Sequence, residues 1–588
     1  MDRERYKLIV AVDYGTTHTG ISFITTNNTD VDKIEIINEW PGSSEVAFKV
    51  PSKIAYQSEN PHLDFDHWGF NAKPNMNSYT WTKLLLDRNI RLTDFDDSKL
   101  EDVFGCGMMR LPPNKSAQEV VTDYLKAIYR YLTEQLSKHF RKEVFDATPM
   151  ECWLTVPAIW SDAAKAATRA AAIKAGFASR RGDEVKIITE PEAAALAALK
   201  PHVGRNALDP ISPGEGVLVC DCGGGTVDIT TYCIEQVAPK LQFKELCVGI
   251  GGKCGSTAID RNFNQWMIQK FGNAYKDLPP RKRGPGSLFM RSFEEAKKAF
   301  GTNSLDSNGA PRKVEIENLN MALVSNEQYD HKQSVLKITT NQVKGFFDPV
   351  IDQIIGLIHS QIGDAANKKH DINRIILVGG FGNSSYLNSR LQEWCEKEHK
   401  GMKLSCPTQC QSAIARGAVI RGLEFLMPSS RKARRHYGYS VGLPFRDGID
   451  PEKKSYIPIW IDKKYCEGRM EWVGQDIGND FEMKHELVRC FEGKKEDIFG
   501  VLTLFCCSSD TAPEFSDQPG IEKVGEVQVK IPKNDYKYLP TKKRKGVLFK
   551  KLEYNVLVNM ASEQGTLMVK AMRNGSEIGS TTIKFDHD

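Results

Sequence analysis

The sequence lacks a long apolar segment and an excess of charge of either sign. No uninterrupted apolar run approaches the ~20 residues that a membrane-spanning helix needs, and the apolar run near the N terminus is too short for a signal sequence. The 79 basic and 75 acidic residues nearly cancel, which leaves a net charge of +4. We therefore expect neither a membrane partner nor a nucleic-acid partner.

Cysteine pairs with metal-ligand spacing are also missing. The 14 cysteines are scattered and form no C-x-x-C motif, so we interpret them as reduced, buried thiols rather than metal ligands or disulfides. This reading predicts a cytoplasmic protein. Basic clusters at 281–286 and 542–545 leave a nuclear location open, although solvated loops are the favoured explanation of them.

Two familiar nucleotide-binding motifs do not occur. There is no G-x-x-x-x-G-K-[ST] sequence, which excludes a P-loop protein. The stretch GGFGN at 379–383 follows an apolar run, but it lacks the G-x-G-x-x-G spacing of a dinucleotide-binding turn. Any nucleotide site in this chain must therefore be built differently.

The organisation of the chain suggests several units. At 588 residues the length alone suggests about four. Strand-like and helix-like segments alternate over the first ~420 residues, which is typical of an α/β fold. The predicted strands are 7–12, 151–157, 185–189, 216–221 and 374–380. The predicted helices are 117–140, 161–176, 290–300 and 341–362. In the last of these, apolar residues recur every three or four positions.

The composition of the sequence changes after Met427. Residues 428–435 are polar and basic and are predicted to be a linker between a domain at 1–427 and a mainly β domain at 436–588. Strand-length apolar runs dominate this second region. They are found at 455–461, 497–507, 525–531 and 553–560.

One short pattern occurs twice. In AVDYGTTHTG, residues 11–20, an apolar strand ends in an acid and continues into a turn of glycine and threonine. The stretch GVLVCDCGGGTVDITTY, residues 216–232, repeats this order, so Asp13 and Asp221 take equivalent places. A single copy could be an ordinary hairpin tip. Two copies predict a duplicated unit in which each turn faces a shared cleft.

The residue types in these turns suit phosphate and a divalent cation. Glycine turns can approach a phosphate closely and offer backbone N–H groups to it, and the hydroxyls of Thr16, Thr17 and Thr226 add neutral donors. Carboxylates repel phosphate but suit Mg²⁺, which keeps several waters. We therefore expect Asp13 and Asp221 to hold Mg²⁺ through water, with Asp228 close by.

Several motifs together resemble the 70-kilodalton heat-shock chaperones, which belong to the superfamily of actin, hexokinase and heat-shock ATPases. They are DYGTT, VPAIWSDAAKAATRAAAIKAGF, IITEPEAAALAAL, CDCGGGTVDIT and ILVGGFGNSSYL, and they stand in the family's order over roughly 1–425. The chain looks closest to a divergent, fungal-type branch. The resemblance implies a two-lobed actin-like ATPase fold, with duplicated ribonuclease-H-like lobes, followed by a mainly β C-terminal domain.

The resemblance also assigns roles around the phosphates. The first phosphate loop would comprise Asp13, Gly15, Thr16 and Thr17, and the second Asp221, Gly223, Gly224, Gly225, Thr226 and Asp228. Lys83 resembles the lysine near the γ-phosphate and the attacking water, although a helix-edge lysine is the alternative. Glu190 resembles the acid that holds the metal-bound water, although a helix N-terminal charge would also explain it.

On the nucleoside side, Glu294, Lys297 and Lys298 resemble the cluster that holds adenosine. Their spacing of three and four places them on one helical face, which a surface salt-bridge pattern explains almost as well. Gly379 and Gly380 resemble the glycine pair at the adenine. The family usually continues with Ser, Thr and Arg, whereas this chain has Phe381, Gly382 and Asn383, so we expect Phe381 to offer an apolar surface to the base.

Three functions remain open from the sequence. The first is a molecular chaperone that binds ATP or ADP with Mg²⁺, hydrolyses ATP slowly, and acts with extended peptides and co-chaperones. The hairpin-like stretch 552–585 resembles the family's peptide-binding sandwich, although a generic meander is the alternative. The second is a nucleotide-sensing scaffold with little turnover, and the third, less favoured, is a small-molecule kinase.

Overall fold

The computed structural model places the chain in two compact units. One unit comprises most of residues 1–428, and residues 429–588 belong to the other. The described residues are 6–87, 109–158, 160–203, 209–301, 313–323, 325–407, 409–424, 426, 428–432, 435–472, 476–478, 482–492, 499–509, 511–530, 537–559 and 568–582.

The first unit alternates strands and helices. Its strands are β1 (Leu8–Tyr14), β2 (His18–Thr25), β3 (Glu35–Ile36), β4 (Val50–Pro51), β5 (Lys53–Ala55), β6 (His67–Trp68), β7 (Tyr79–Thr80), β8 (Met150–Val156), β9 (Glu184–Thr189), β10 (Gly216–Cys222), β11 (Val227–Gln236), β12 (Gln242–Glu245), β13 (Ile250–Gly252), β14 (Val314–Ile316), β15 (Tyr329–Asp330), β16 (Val335–Ile338), β17 (Arg374–Val378) and β18 (Lys403–Ser405). Its helices are α1 (Ala117–His139), α2 (Lys142–Ala147), α3 (Asp162–Ala172), α4 (Glu190–Leu199), α5 (Thr257–Phe271), α6 (Asn273–Lys276), α7 (Pro280–Arg283), α8 (Leu288–Ala299), α9 (Thr340–Asn367), α10 (Ser385–Glu398) and α11 (Ala413–Glu424).

Two sheets of the first unit have the same design. One has the order β3-β2-β1-β8-β9 and the other β12-β11-β10-β17-β18. In both, the hairpin strands pair antiparallel and the following strands pair parallel. Strands β1, β8 and β10 are buried along their whole length, as expected for parallel strands covered on both faces. The predicted duplicated α/β fold is therefore confirmed.

The long helices begin where their sequences provide caps. Ser116 and Glu119 form a capping box at the start of α1, and Thr339 and Gln342 form another at the start of α9. Each pair satisfies backbone N–H groups that the first helical turn leaves without partners. The helix predicted over 161–176 is α-helical only to Ala172 and then widens into a π-helical turn, Ile173–Phe177, in which Gly176 has φ +115°.

Helices α4 and α11 pack so closely that a glycine is required. A Cβ on Gly417 would lie 1.7 Å from the carbonyl oxygen of Ala193. We expect Gly417→Ala to lower the free energy of unfolding by about 1–3 kcal/mol, because the two helices must separate. Gly363→Ala in α9 is the matched control, since nothing lies within 4 Å of that position. The control should raise stability by about 1 kcal/mol through helix propensity, and urea denaturation of both variants measures the difference.

The second unit is built from strands. They are β19 (Ser430–Lys432), β20 (His436–Pro444), β21 (Ser455–Tyr456), β22 (Tyr465–Trp472), β23 (Asp476–Gly478), β24 (Glu482–Glu492), β25 (Phe499–Cys507), β26 (Ile521–Lys530), β27 (Thr541–Arg544), β28 (Val547–Asn559), β29 (Met568–Arg573) and β30 (Ser576–Thr582). The main sheets have the orders β21-β22-β20-β25-β26 and β24-β28-β29-β30, with β27 beside β28. Both sheets contribute to one buried cluster that includes Tyr439, Leu504, Val527, Val556 and Val569. This shared core confirms the mainly β C-terminal domain.

Two details of this region differ from the predictions. Residues 430–432 of the predicted linker form β19, which pairs with β23. The predicted strand at 455–461 is wrong beyond Tyr456, because only Ser455 and Tyr456 pair with β22. Pro458 lies in that stretch and has no backbone N–H to donate to a neighbouring strand.

Within the described ranges, no helix combines the length and the apolar composition that a membrane-spanning helix requires.

Candidate functional site

The two acid-bearing turns close in the same way. The N–H of Gly15 donates to the carbonyl of His18 at 3.1 Å, and the N–H of Gly223 donates to the carbonyl of Thr226 at 2.9 Å. A Cβ on Gly15 would lie 2.4 Å from the His18 oxygen, and one on Gly223 would lie 3.0 Å from the Thr226 oxygen. The first turn therefore needs glycine at position 15 for steric reasons, whereas a Cβ at position 223 would make a tight contact that a small shift could relieve.

The turns of the two sheets meet. A Cβ on Gly224 would lie 2.2 Å from Oγ1 of Thr17, and one on Gly225 would lie 3.0 Å from Cγ2 of Thr16. The structure thus brings both glycine-threonine turns, which are more than 200 residues apart in the sequence, to one cleft within the first unit. Glycine backbone and threonine side chains lie side by side there, and residues of these types suit an anion.

Asp13, at the end of β1, is held by two side chains that the sequence analysis missed. Nζ of Lys49 lies 2.7 Å from Oδ2 of Asp13, and the hydroxyl of Thr155 donates to Oδ1 at 2.9 Å. Burial alone would raise the pKa of Asp13, but the charges of Lys49 and Lys83 outweigh it and leave the pKa below its ordinary value. Asp13 is therefore an ionised carboxylate whose charge is already partly compensated.

Lys83 and Glu190 form a buried ion pair beside this acid. Lys83 is 1% exposed and Glu190 is 6% exposed, and the ammonium donates to Oε1 of the carboxylate. The ammonium also lies 5.4 Å from the ring centre of Trp160 and 6.0 Å from that of Tyr14. Lys83 lies in a short 3₁₀ helix, Thr82–Leu86, so it is a helical residue as the alternative supposed, but its side chain is buried. Burial raises the pKa of Glu190, and the charge of Asp13 adds to this effect while Lys83 opposes it.

Asp221, at the end of β10, has the opposite electrostatic character from Asp13. Burial and the charge of Glu190 raise its pKa well above the ordinary value. Gly379, with φ +84°, passes so close that a Cβ there would lie 2.3 Å from Oδ1 of Asp221. Asp228 is the cross-strand neighbour of Asp221 in the β10–β11 hairpin. The second turn therefore carries negative charge that the surrounding protein stabilises poorly.

The donor set fits a hydrated divalent cation. Two ammonium groups face four buried carboxylates, which belong to Asp13, Glu190, Asp221 and Asp228. In the part of the chain that the structure describes, no three His, Cys, Asp or Glu side chains converge closely enough to hold a metal directly. Mg²⁺ tolerates such a site because it keeps several waters. The roles predicted for these acids fit this arrangement and remain predictions.

The residues predicted to hold adenosine, Glu294, Lys297 and Lys298, differ in their exposure. Nζ of Lys297 is buried and lies 2.7 Å from Asp260 and 2.5 Å from Glu294, whereas Lys298 is 71% exposed. Desolvation by the surrounding protein lowers the pKa of His18 to about 4, with the charge of Glu294 opposing the shift. The charge of Glu294 therefore acts on a residue of the first hairpin.

Phe381 takes a different place from the one expected. Its ring is 6% exposed and belongs to the apolar core, 6.4 Å from the ring of Phe347. The expectation of an apolar surface offered to the base is therefore wrong. The cause is the backbone, since the N–H of Phe381 donates to the carbonyl of Cys222 and that of Gly379 donates to Cys410. A Cβ added at Gly380 would have no atom within 4 Å, so there is free space beside this residue.

The cysteines agree with the reading of unpaired thiols. None of those in the described ranges forms a disulfide, and nearly all are buried. Cys220 and Cys222 flank Asp221 in β10, with their sulfurs 3.5 Å apart.

Most of the chain is similar to known proteins of one family. A family model described as Hsp70 protein matches residues 114–431. Human heat shock 70 kDa protein 12B is 24% identical over 90% of this chain and 84% of its own length. Human heat shock 70 kDa protein 12A is 23% identical over 90% of this chain and 86% of its own length. The chaperone protein DnaK of Psychrobacter cryohalolentis is 24% identical over 70% of this chain and 58% of its own length.

The matched segment covers more than half of the chain and includes Glu190, the second turn and the Gly379–Gly380 pair. The duplicated sheets and the facing turns agree with it. The low identities to the relatives show how far this sequence has diverged. The chain therefore belongs to the Hsp70 protein family, as a divergent member with a nucleotide-binding unit.

Proposed function

We propose that the protein is a chaperone that holds Mg·ATP between its two lobes and hydrolyses it slowly. The observation that carries this proposal is the meeting of the two glycine-threonine turns, Gly224 against Thr17 and Gly225 against Thr16. Their N–H groups and hydroxyls would donate to phosphate oxygens from both sides. A polyphosphate bridging the turns would therefore hold the two lobes together.

The residues beside the turns suit phosphoryl chemistry. Asp13 and Asp221 would hold Mg²⁺ through water, and the ion, when bound, would neutralise phosphate charge. Lys83 would donate to the terminal phosphate, while Glu190 would orient the attacking water. The raised pKa of Glu190 makes it a better proton acceptor than an ordinary carboxylate. Positioning and charge neutralisation supply most of the catalysis in such reactions.

The chaperone part of the proposal concerns the second unit. Its two sheets share one core, and the similar proteins are named heat shock proteins and a chaperone protein. We propose that this unit binds extended peptide segments and that the nucleotide state changes its affinity for them.

Calorimetry and single-turnover measurements test the proposal. We expect Mg·ATP and Mg·ADP to bind, γ-labelled ATP to release phosphate, and the anisotropy of a labelled extended peptide to depend on which nucleotide is present. If neither nucleotide binds, the proposal is wrong. If both bind but peptide affinity is the same with ATP and ADP, the chaperone part is wrong.

A second candidate, a nucleotide-sensing scaffold with little turnover, is favoured by one observation. Lys49 already pairs with Asp13 at 2.7 Å, which weakens the demand of this acid for a metal. This candidate predicts binding of both nucleotides without phosphate release above background. Transfer of the phosphate to a small alcohol would instead revive the kinase alternative.

A further inference from the structure

Lys49 reaches the nucleotide site from a segment that carries no phosphate-binding pattern. Its ammonium group lies 2.7 Å from Asp13 at the end of β1. We propose that Lys49 is a resident cation of this site, which allows the protein to bind nucleoside di- and triphosphates without a divalent metal ion. The proposal rests on the nucleotide-binding function proposed above and adds a ligand-binding residue to it.

The hairpin is shaped to admit this side chain. Strand β4 pairs with β2, with Thr19 opposite Val50, so Lys49 enters beside the hairpin. Gly20 is the register partner of Asp13 across the hairpin. A Cβ on Gly20 would lie 3.3 Å from Cγ and 3.5 Å from Cε of Lys49. The stem of Lys49 therefore crosses the space that a side chain at position 20 would fill, and this route brings its ammonium to Asp13.

Lys49 lies among several carboxylates. Its ammonium group contacts Asp13 directly, and the charges of Asp221 and Glu190 also attract it. Its side chain is 22% exposed, so one side of it still faces the cleft. A single cation thus interacts with carboxylates that come from both lobes.

Such a cation addresses the main obstacle to binding without metal. Buried carboxylates repel a polyphosphate. Because Lys83 is already paired with Glu190, in a site without Lys49 a metal ion would have to offset the repulsion that comes from Asp13. A lysine binds phosphate as a point charge on a rotatable stem. The hydroxyl of Thr155 continues to donate to Asp13, so this carboxylate keeps a partner when the ammonium turns toward phosphate.

The test compares ADP binding in Mg²⁺ and in EDTA by calorimetry, using the full chain. In wild type we expect the Kd in EDTA to exceed that in Mg²⁺ by less than ~10-fold, and in Lys49→Met by more than ~100-fold, which is the order of a lost charge-assisted contact. Lys33→Met, an exposed lysine of the same lobe, should keep the wild-type ratio. Lys49→Gln retains a donor to Asp13 and replaces Lys49→Met if that variant does not fold.

The ratio separates the possible outcomes. A general folding defect changes both Kd values and leaves their ratio constant, so an unchanged ratio in both Lys49 variants overturns the proposal. Wild-type binding only in Mg²⁺ also overturns it, while the proposed nucleotide function stands. Absence of binding under either condition overturns both.

Discussion

Replacing both Asp13 and Asp221 by alanine is expected to weaken Mg·ATP binding at least about 100-fold and to remove Mg²⁺-dependent phosphate release. These acids take equivalent places near the ends of β1 and β10, and the turns that follow them meet. Without them the hydrated ion loses an acceptor on each lobe. Calorimetry with Mg·ATP and single-turnover release of phosphate measure the two effects.

A matched double variant and a stability measurement serve as controls. Asp64 and Asp146 are exposed acids of the same unit, and replacing both by alanine should leave Mg·ATP binding unchanged. Because the folded protein raises the pKa of Asp221, its ionised form contributes no stability at neutral pH. Asp221→Ala alone should therefore not lower the thermal midpoint of the ligand-free protein. Full Mg²⁺-dependent turnover in the double variant would refute the assignment of both acids.

Lys83→Met is expected to destabilise the ligand-free nucleotide-binding unit by about 3–5 kcal/mol, because it leaves the Glu190 carboxylate buried without its cation. Replacing both members, as in Lys83→Met/Glu190→Gln, should recover most of that loss, since an uncharged pair has little desolvation to offset. Urea unfolding followed by tryptophan fluorescence gives the double-mutant cycle.

An exposed ion pair provides the comparison. Lys397 and Glu398 lie 3.1 Å apart with side chains 81% and 50% exposed, so Lys397→Met should cost less than about 1 kcal/mol. Equal losses for Lys83→Met and Lys397→Met would contradict the buried-pair assignment. The double variant should recover stability without recovering phosphate release, because the two side chains would then no longer position the terminal phosphate and the water.

Much of the first unit could be predicted from local patterns. The strands predicted over 7–12 and 216–221 and the helix over 117–140 agree with the structure to within two residues. These elements carry continuous apolar runs or a 3.6-residue period, which depend on neighbours in sequence. The repeated acid-and-glycine turn also predicted the duplicated sheets.

Other features followed no local pattern. Thr155 could have been predicted as a neighbour of Asp13, because β8 pairs parallel with β1 and the ends of the two strands lie side by side. The contact of Lys49 with Asp13 could not have been predicted, since it depends on the pairing of β4 with β2. The GGFGN stretch suggested a surface for the base, yet backbone hydrogen bonds turn the Phe381 ring into the core.

The sequence by itself determined the strands, the two turns, the types of ligand they suit and the resemblance to the heat-shock family, because each of these is written in contiguous residues. Only the tertiary structure decided which cation compensates which acid. Asp13 pairs with Lys49 and Glu190 with Lys83, while Asp221 remains an acid of raised pKa. Charge compensation depends on distance and burial, and sheet pairing sets both between residues far apart in the chain.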